Sequence, residues 1–186
     1  SGSCGGTPVG SGPGISVSPA VTTTYYVRAE GDCNTTACAS LTITVKTESV
    51  APTSATVDNN NFCPGDFANI TLSYVGGTLG TGATAEWYSD AAFTTNVGSG
   101  QDLTIAAPAT TTTYYVRFEG DCNNTSAASV TITVKAESTD PTGINTDNNN
   151  FCPGDAANVS VKGGSLGEGA TWEWYTGSCG GTLVGS

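Results

Sequence analysis

Residues 112–119 read Thr-Thr-Tyr-Tyr-Val-Arg-Phe-Glu, and this stretch decides the fold of the chain. Successive side chains of a β-strand point to opposite faces, so Tyr114, Val116 and Phe118 are predicted to point inward. Tyr115 and Arg117 are then left outside. They form either a contact surface or, in the simpler interpretation, an Arg side chain packed over a Tyr ring. The pattern indicates a strand with one buried face and one wet face.

The same motif returns along the chain. Tyr25 to Arg28 reappears at 114–117, and Asn-Asn-Asn-Phe-Cys-Pro-Gly-Asp at 59–66 reappears at 148–155, both at a spacing of 89 residues (114 − 25 and 148 − 59). Such a period is the signature of tandem domains. We therefore expect the C-terminal half of a repeat at 1–49, a complete repeat at 50–138 and the N-terminal half of the next at 139–186. The array is expected to be part of a much longer polypeptide.

Alternating apolar and polar residues predict the remaining strands. Val-Thr-Ile-Thr-Val at 130–134 and Leu-Thr-Ile-Thr-Val at 41–45 each read as the last strand of a repeat. Seven short strands in about 89 residues are typical of an immunoglobulin-like sandwich. The predicted fold is all-β, with tandem immunoglobulin-like seven-stranded β-sandwich repeats. Strands of the complete repeat are expected near 54–57, 68–74, 84–88, 94–97, 102–106, 112–119 and 128–135.

The core of the complete repeat is predicted from the inward-facing positions. Trp87 and its counterpart Trp174 fall on the third strand, where this fold commonly buries a Trp between its sheets. A sugar-stacking platform is the alternative role for such a ring, but strand-interior positions favour packing. The residues expected to be buried together are Trp87, Tyr114, Val116, Ile70, Leu72, Ile132 and Val134.

Composition excludes several classes of function. The chain has 16 acidic and 5 basic residues, a net charge of −11 and no His. Nucleic acids and anionic membrane surfaces need a cationic face, so neither is an expected partner, and no apolar run is long enough for membrane insertion. Without His there is no Ser-His or Cys-His pair, and no Gly-rich loop opens a helix that could cradle phosphate. We expect no enzymatic activity and no cofactor.

Seven cysteines at repeating positions, without His or a Cys-x-x-Cys spacing, favour disulfides and an oxidising, extracytoplasmic location. Two positions are replaced together in the central repeat, because Cys179 aligns with Ala92 and Cys38 aligns with Ala127 (38 + 89). The simplest account is that these two positions are partners. That account predicts a disulfide between Cys4 and Cys38 in the first segment.

The retained cysteines, Cys63 and Cys122, would then form the second disulfide. A physical objection applies, because Cys63 precedes the second strand and Cys122 follows the sixth. These strands run the same way in an ordinary sandwich, so the two residues would lie at opposite ends and out of reach. A bond between neighbouring repeats, such as Cys4 to Cys122, therefore stays open.

Two acidic turns contain residues that could form sites. Asp58, the asparagines after it and Asp66 resemble the oxygen-rich linkers that bind calcium between extracellular repeats. Asn and Asp also build tight turns by bonding to their own backbone, which is the alternative interpretation. The segment Glu-Gly-Asp at 119–121 is predicted to be a hairpin loop with no further role.

Four groups of residues carry a family resemblance: 22–31 (Thr-Thr-Thr-Tyr-Tyr-Val-Arg-Ala-Glu-Gly), 62–65 (Phe-Cys-Pro-Gly), 173–175 (Glu-Trp-Tyr) and 177–181 (Gly-Ser-Cys-Gly-Gly). In these the sequence resembles the Ig-like repeats of very large Bacteroidetes surface proteins, the SprB-type gliding adhesins. The resemblance implies type IX secretion, display on the outer cell surface, and adhesion to a substratum or polysaccharide, with gliding motility where the adhesin is driven along the cell. The central repeat departs from the family pattern at Ala92 and Ala127.

The function expected from these features is a structural and adhesive segment of a long extracellular filament. Its partners would be the adjacent repeats of the same chain and an extracellular polysaccharide or substratum. The alternative is a spacer or carbohydrate-binding module of a secreted multidomain hydrolase. The linkers at 47–53 and 136–142 are short and each contains a Pro, Pro52 and Pro141, so we expect a stiff array.

Overall fold

A computed structural model describes residues 3–186. Within this range the chain forms β-strands and no helix, and therefore no helix long and apolar enough to cross a membrane. The first segment has β1 (Thr23–Val27) and β2 (Ala39–Ile43). The central repeat has β3 (Ser54–Val57), β4 (Asn69–Val75), β5 (Thr84–Tyr88), β6 (Asn96–Ser99), β7 (Asp102–Ala106), β8 (Thr112–Glu119) and β9 (Ala128–Ile132). The last segment has β10 (Gly143–Thr146), β11 (Val159–Lys162), β12 (Trp174–Thr176) and β13 (Thr182–Gly185).

The strands of the central repeat form two antiparallel sheets. One sheet has the order β3-β4-β7 and the other the order β6-β5-β8-β9. Consecutive strands along the chain change sheets at β4 to β5, at β6 to β7 and at β7 to β8, which is how a sandwich encloses a core. The predicted all-β, immunoglobulin-like fold is confirmed for this repeat.

The core lies between these sheets and contains the residues predicted from alternation. Trp87, Leu72, Val116 and Ile132 are each 0% exposed. Ile70 and Tyr114 are also buried with them, and Val134 packs against the cluster while only partly buried. Phe118 is buried as well, so the inward face of β8 is the one expected from residues 112–119.

Trp87 is positioned by a strand pairing and by a side-chain hydrogen bond. It pairs with Val116 across β5 and β8, and its indole Nε1 donates a hydrogen bond to Gly100 O at 3.0 Å. A buried Trp needs such a partner for its N–H, because an unsatisfied donor in an apolar core costs free energy. The ring is therefore fully desolvated without a polar penalty.

The first and last segments are partial sandwiches in the described chain. Their strands form three separate two-stranded sheets, β1-β2, β10-β11 and β12-β13. Side chains that would face a second sheet stay in solvent: Val27 is 66% exposed, Leu41 69% and Ile144 65%. Trp174 is only half-buried, because in the described chain β12 pairs with β13 alone, whereas β5 lies between two strands of a sheet that packs on a second sheet.

Candidate functional site

The junction between the first segment and the central repeat contains no slack. Val45 N–H donates to Thr22 Oγ1 at 3.0 Å, which ties the chain to the first segment. Two residues later, Thr47 N–H donates to Thr81 Oγ1 at 2.9 Å and Thr47 O accepts from Thr81 N–H at 3.0 Å. The hydrogen bonds to the first segment and to the central repeat are therefore only two residues apart along the chain.

The residue between these anchors bridges the two units through its side chain. Lys46 Nζ lies 2.8 Å from Asp121 Oδ2 in the β8–β9 hairpin. Next in the same hairpin, the side-chain amide of Asn123 both accepts from Ser49 N–H at 2.8 Å and donates to Ser49 O at 3.0 Å. The hydrogen bond and the charge of Asp121 raise the pKa of Lys46 above its ordinary value, so the ammonium is charged at neutral pH.

The second junction holds the chain in the same way. Lys135 N–H donates to Phe62 O of the central repeat at 2.9 Å, and the next residue, Ala136, accepts from Glu168 N–H of the last segment at 3.1 Å. Consecutive residues are thus bound by consecutive units. Since a linker can bend only where its residues are free to change φ and ψ, neither junction has a flexible linker of its own.

Matching contacts extend along both linkers. Gly80 N–H donates to Ser49 Oγ and Gly167 N–H donates to Ser138 Oγ, each at 2.9 Å. Glycine is required at both places, since a Cβ on Gly80 would lie 2.7 Å from Ser49 N and a Cβ on Gly167 would lie 2.7 Å from Ser138 N. Each linker packs against bare backbone, and the two junctions are built alike.

An aromatic cluster covers the outer face of β5 and β8. The Arg117 guanidinium lies 4.1 Å from the centre of the Phe93 ring and 5.5 Å from that of Tyr88. Arg117 Nη2 also contacts Glu119 Oε1 at 2.6 Å, and Tyr88 OH donates to the same oxygen at 2.6 Å. The Tyr88 hydroxyl and then Arg117 lower the pKa of Glu119, whereas burial and then Glu119 raise the pKa of Tyr88.

This cluster refines the prediction for the outer pair. Arg117 does pack over aromatic rings, but over Phe93 and Tyr88 instead of its neighbour Tyr115, whose ring meets Phe93 edge-on with centroids 6.3 Å apart. Alternation along one strand could not reveal this, because Phe93 reaches the cluster from the loop between β5 and β6. The guanidinium covers a face of Phe93, so the cluster presents a capped surface.

The cysteines confirm one predicted disulfide and contradict the other. Cys4 and Cys38 are bonded, with Cα atoms 6.1 Å apart, so the alternative of Cys4 with Cys122 is not formed. Cys63 and Cys122 are both free and exposed. The physical reason is the one that opposed this pair at the outset. Cys63 follows Phe62, which bonds to Lys135 just beyond β9, whereas Cys122 precedes β9, so the two residues lie at opposite ends of that strand.

The carboxylates of Asp58 and Asp66 accept hydrogen bonds from backbone amides. Asp58 Oδ1 accepts from Thr71 N–H at 2.9 Å and Asp66 Oδ2 accepts from Cys63 N–H at 2.8 Å. The Thr71 amide is also the main reason that the pKa of Asp58 is lowered. Asp58 and Asp66 thus bind amides of different segments, and residues 3–186 contain no group of three or more potential metal ligands in metal-binding proximity.

Sequence reasoning missed the role of the β8–β9 hairpin. The sequence predicts that residues 119–121 form a hairpin loop and not a site, but Asp121 contacts Lys46 and Asn123 contacts Ser49 across the junction. A signal was present in the repeats. Opposite charges recur at fixed repeat positions, since Asp32 matches Asp121 and Lys135 matches Lys46, each 89 residues apart (121 − 32 and 135 − 46).

Comparison with known families agrees with this architecture. A family model described as an Ig-like domain, CHU_C associated, matches residues 50–135, which is the region of the complete sandwich. The match supports an Ig-like repeat region. No curated protein matches the sequence.

Proposed function

We propose, from the Ig-like character of residues 50–135, that this chain is a structural and adhesive segment of a long secreted filament on the outer cell surface. Its repeats act as stiff spacers that project an adhesive region, in gliding motility and in attachment to a surface or polysaccharide. The role is not enzymatic and needs no cofactor. A type IX secreted Bacteroidetes adhesin is the specific class to which the sequence resemblance leads.

The observation that carries this proposal is that both junctions lack a flexible linker, because neighbouring linker residues are hydrogen-bonded to the two units. Lys135 is bonded to Phe62 of one unit and Ala136 is bonded to Glu168 of the next, with no free residue between them. A pulling force or a projected tip needs this property, because a flexible chain coils and absorbs extension as entropy. The repetition of the contacts at two junctions supports a regular rod.

Secretion and partners follow from the surface chemistry. The disulfide between Cys4 and Cys38 is stable in an oxidising compartment and uncommon in the cytosol. A net charge of −11 keeps such a filament soluble and disfavours nucleic acids and anionic membranes as partners. The main partners are then the neighbouring repeats, with an extracellular polysaccharide or substratum at the adhesive end.

Small-angle scattering tests the stalk. We would compare the full chain with a duplicated chain, in which residues 1–138 are followed in frame by residues 50–186. The expected maximum dimension grows by one full repeat length, with a scattering profile of a rod. The control inserts Gly-Gly-Ser between Lys135 and Ala136, which separates the two anchors and should produce a flexible profile. A native chain as flexible as this control would contradict the proposal.

A spacer or carbohydrate-binding module of a secreted hydrolase is the second candidate. The aromatic cluster around Phe93 favours it, because aromatic rings at a surface can stack on sugars, and Phe93 and Tyr115 are each half-buried. Arg117 occupies a face of that ring at 4.1 Å, which disfavours stacking. Binding of the full chain to a glycan array, abolished by Phe93→Ala, would favour the module, as would a catalytic domain encoded beside the repeats.

A further inference from the structure

Two cysteine positions recur without a partner. Cys33 and Cys122 occupy one repeat position (122 − 33 = 89), and Cys63 and Cys152 occupy another (152 − 63 = 89). All four are free and exposed. The positions of the bonded pair, by contrast, are replaced by Ala92 and Ala127 in the central repeat. The array therefore keeps the free cysteines even where it gives up the disulfide within a repeat.

The two positions lie at the two ends of a repeat. Cys63 directly follows Phe62, whose carbonyl accepts from Lys135 N–H at 2.9 Å where the chain leaves the central repeat. Cys122 directly follows Asp121, whose carboxylate lies 2.8 Å from Lys46 Nζ where the chain enters it. Pairing within one repeat would have to span the length of the sandwich, beyond the roughly 7 Å that a disulfide allows between Cα atoms.

Lys46 and Lys135 hold the same repeat position, so they give a common reference for the two ends. At the second junction Cys63, in the unit before the linker, lies next to the residue that binds Lys135. At the first junction Cys122, in the unit after the linker, lies next to the residue that binds Lys46. After Asp121, Cys122 is the other side chain that raises the pKa of Lys46, which reflects the same proximity. Superposing the junctions places both cysteines at a single lysine.

We propose that the cysteine at the Cys63 position of one repeat forms a disulfide with the cysteine at the Cys122 position of the next. This proposal rests on the proposed function, in that it requires consecutive complete repeats. The chain contains one complete repeat, so it holds no such pair; at a period of 89 residues the partners of Cys63 and Cys122 would stand at positions 211 and −26 (122 + 89 and 63 − 89). Both thiols are accordingly free in this structure.

The chemistry needs an electron acceptor. One cysteine thiolate attacks a disulfide of a thiol–disulfide oxidant, such as oxidised glutathione or an oxidoreductase of the Cys-x-x-Cys class, and forms a mixed disulfide. The second thiolate then displaces the donor sulfur. Two thiols lose two protons and two electrons, one S–S bond forms between the repeats, and the donor disulfide is reduced to two thiols.

A bond at this place would clasp neighbouring repeats beside the linker. Load would then pass through two covalent connections at each junction, the main chain and the disulfide. Bending about the lysine would be blocked by the second connection, whereas the Lys46 and Asp121 contact is half-exposed and screened by salt. The clasp explains why these cysteines persist when the bond within the repeat does not.

The duplicated chain provides the test, because it contains one junction with both cysteines. In the clasp variant, Cys122 of the first copy and Cys63 of the second copy are changed to Ser. Cys33, Cys152 and Cys179 are changed to Ser in both this variant and its control, since they are also free. The free thiols left are then Cys63 of the first copy and Cys122 of the second, which face each other. The matched control keeps Cys122 of the first copy and Cys63 of the second instead, so that the two thiols lie at opposite ends of the two-repeat unit. Both are oxidised with a glutathione couple, alkylated and mapped by mass spectrometry.

We expect the disulfide in most molecules of the clasp variant, as a monomer, and at least about tenfold less of it in the control, since only a neighbouring thiol has a high effective concentration. Free Cys63 and Cys122 in a folded clasp variant, or equal bonding in both variants, would overturn the proposal. So would a Cys63 to Cys122 bond within the unaltered chain, which needs no variant to be measured.

Scattering on the same clasp variant separates this proposal from the stalk. A rod-like scattering profile with free thiols would refute the disulfide between repeats and would leave the stiff filament supported. A disulfide in a chain that is otherwise flexible would support the clasp and refute the stalk. Bonds found only between molecules would assign the cysteines to cross-links between filaments and refute the clasp.

Discussion

Lys46 Nζ and Asp121 Oδ2 lie 2.8 Å apart although their residues are separated by 75 positions, and they join the end of one unit to a hairpin of the next. The side chains are 55% and 45% exposed, so solvent and salt weaken the pair and it adds little to stability. Its importance is positional, because the hydrogen bonds of Thr47 and Ser49 lie beside it. Together these contacts define the junction.

Replacing Trp87 should unfold the central sandwich. Trp87→Ala removes a side chain that is 0% exposed, and a core cavity of this size costs about 3 to 5 kcal/mol. The measurement is amide hydrogen exchange of β8 in the full chain. Trp174→Ala is the matched control at the same repeat position and should leave exchange in β8 unchanged. Retained protection of β8 in Trp87→Ala would show that the core is not organised around this ring.

A side chain at Gly80 should loosen the first junction. A Cβ there would lie 2.7 Å from Ser49 N, so Gly80→Ala must push the linker away and break the hydrogen bond from Gly80 N–H to Ser49 Oγ. We expect faster amide exchange at 47–50 and a more flexible scattering profile. Gly14→Ala is the control, since a Cβ at Gly14 has no neighbour within 4 Å. An unchanged junction in Gly80→Ala would contradict the tight packing.

Reduction should affect the first segment alone. The bond between Cys4 and Cys38 closes a loop with a sequence separation of 34, and such a cross-link contributes about 2 to 4 kcal/mol. A reducing agent should therefore increase amide exchange in β1 and β2. The central repeat is an internal control, because Ala92 and Ala127 occupy those positions. Equal loosening of β8 and β9 on reduction would contradict this assignment.

Acid should weaken the central repeat through Glu119. Its pKa is lowered from the ordinary value of 4.5 by the Tyr88 hydroxyl and by Arg117. A carboxyl group with a depressed pKa in the folded state contributes stability above its unfolded pKa and loses it as the pH falls through the folded value. Glu119→Gln should therefore flatten the dependence of unfolding free energy on pH between about pH 5 and pH 3. Glu48→Gln, at an exposed carboxylate, is the control variant.

Calcium should have no effect on the junctions. Asp58 accepts from the Thr71 amide of β4 at 2.9 Å, and Asp66 accepts from the Cys63 amide of its own turn at 2.8 Å. We expect the same melting temperature and the same maximum dimension with calcium as with a chelator. A rise in stiffness that needs calcium, and that is lost in Asp58→Asn with Asp66→Asn, would instead assign these residues to a metal site.

The sequence by itself determined the strands and the core. Tyr114, Val116 and Phe118 alternate with polar neighbours, and this period of two is a local property that survives any arrangement of the sheets. The repeats likewise predicted that Trp87 is a core residue. They also predicted the disulfide between Cys4 and Cys38, because Ala92 and Ala127 replace both cysteines together in the central repeat. Each of these inferences compares residues that occupy equivalent positions, so no knowledge of distances between elements was needed.

Only the tertiary structure decided what meets across loops and junctions. The pairing of Arg117 with Phe93 and the contact of Lys46 with Asp121 depend on where loops end in space. Loop geometry follows from turn conformations and from the packing of whole sheets, and neither has a period in the sequence. The sequence thus specified which residues recur, and the packed sheets determined which of them touch.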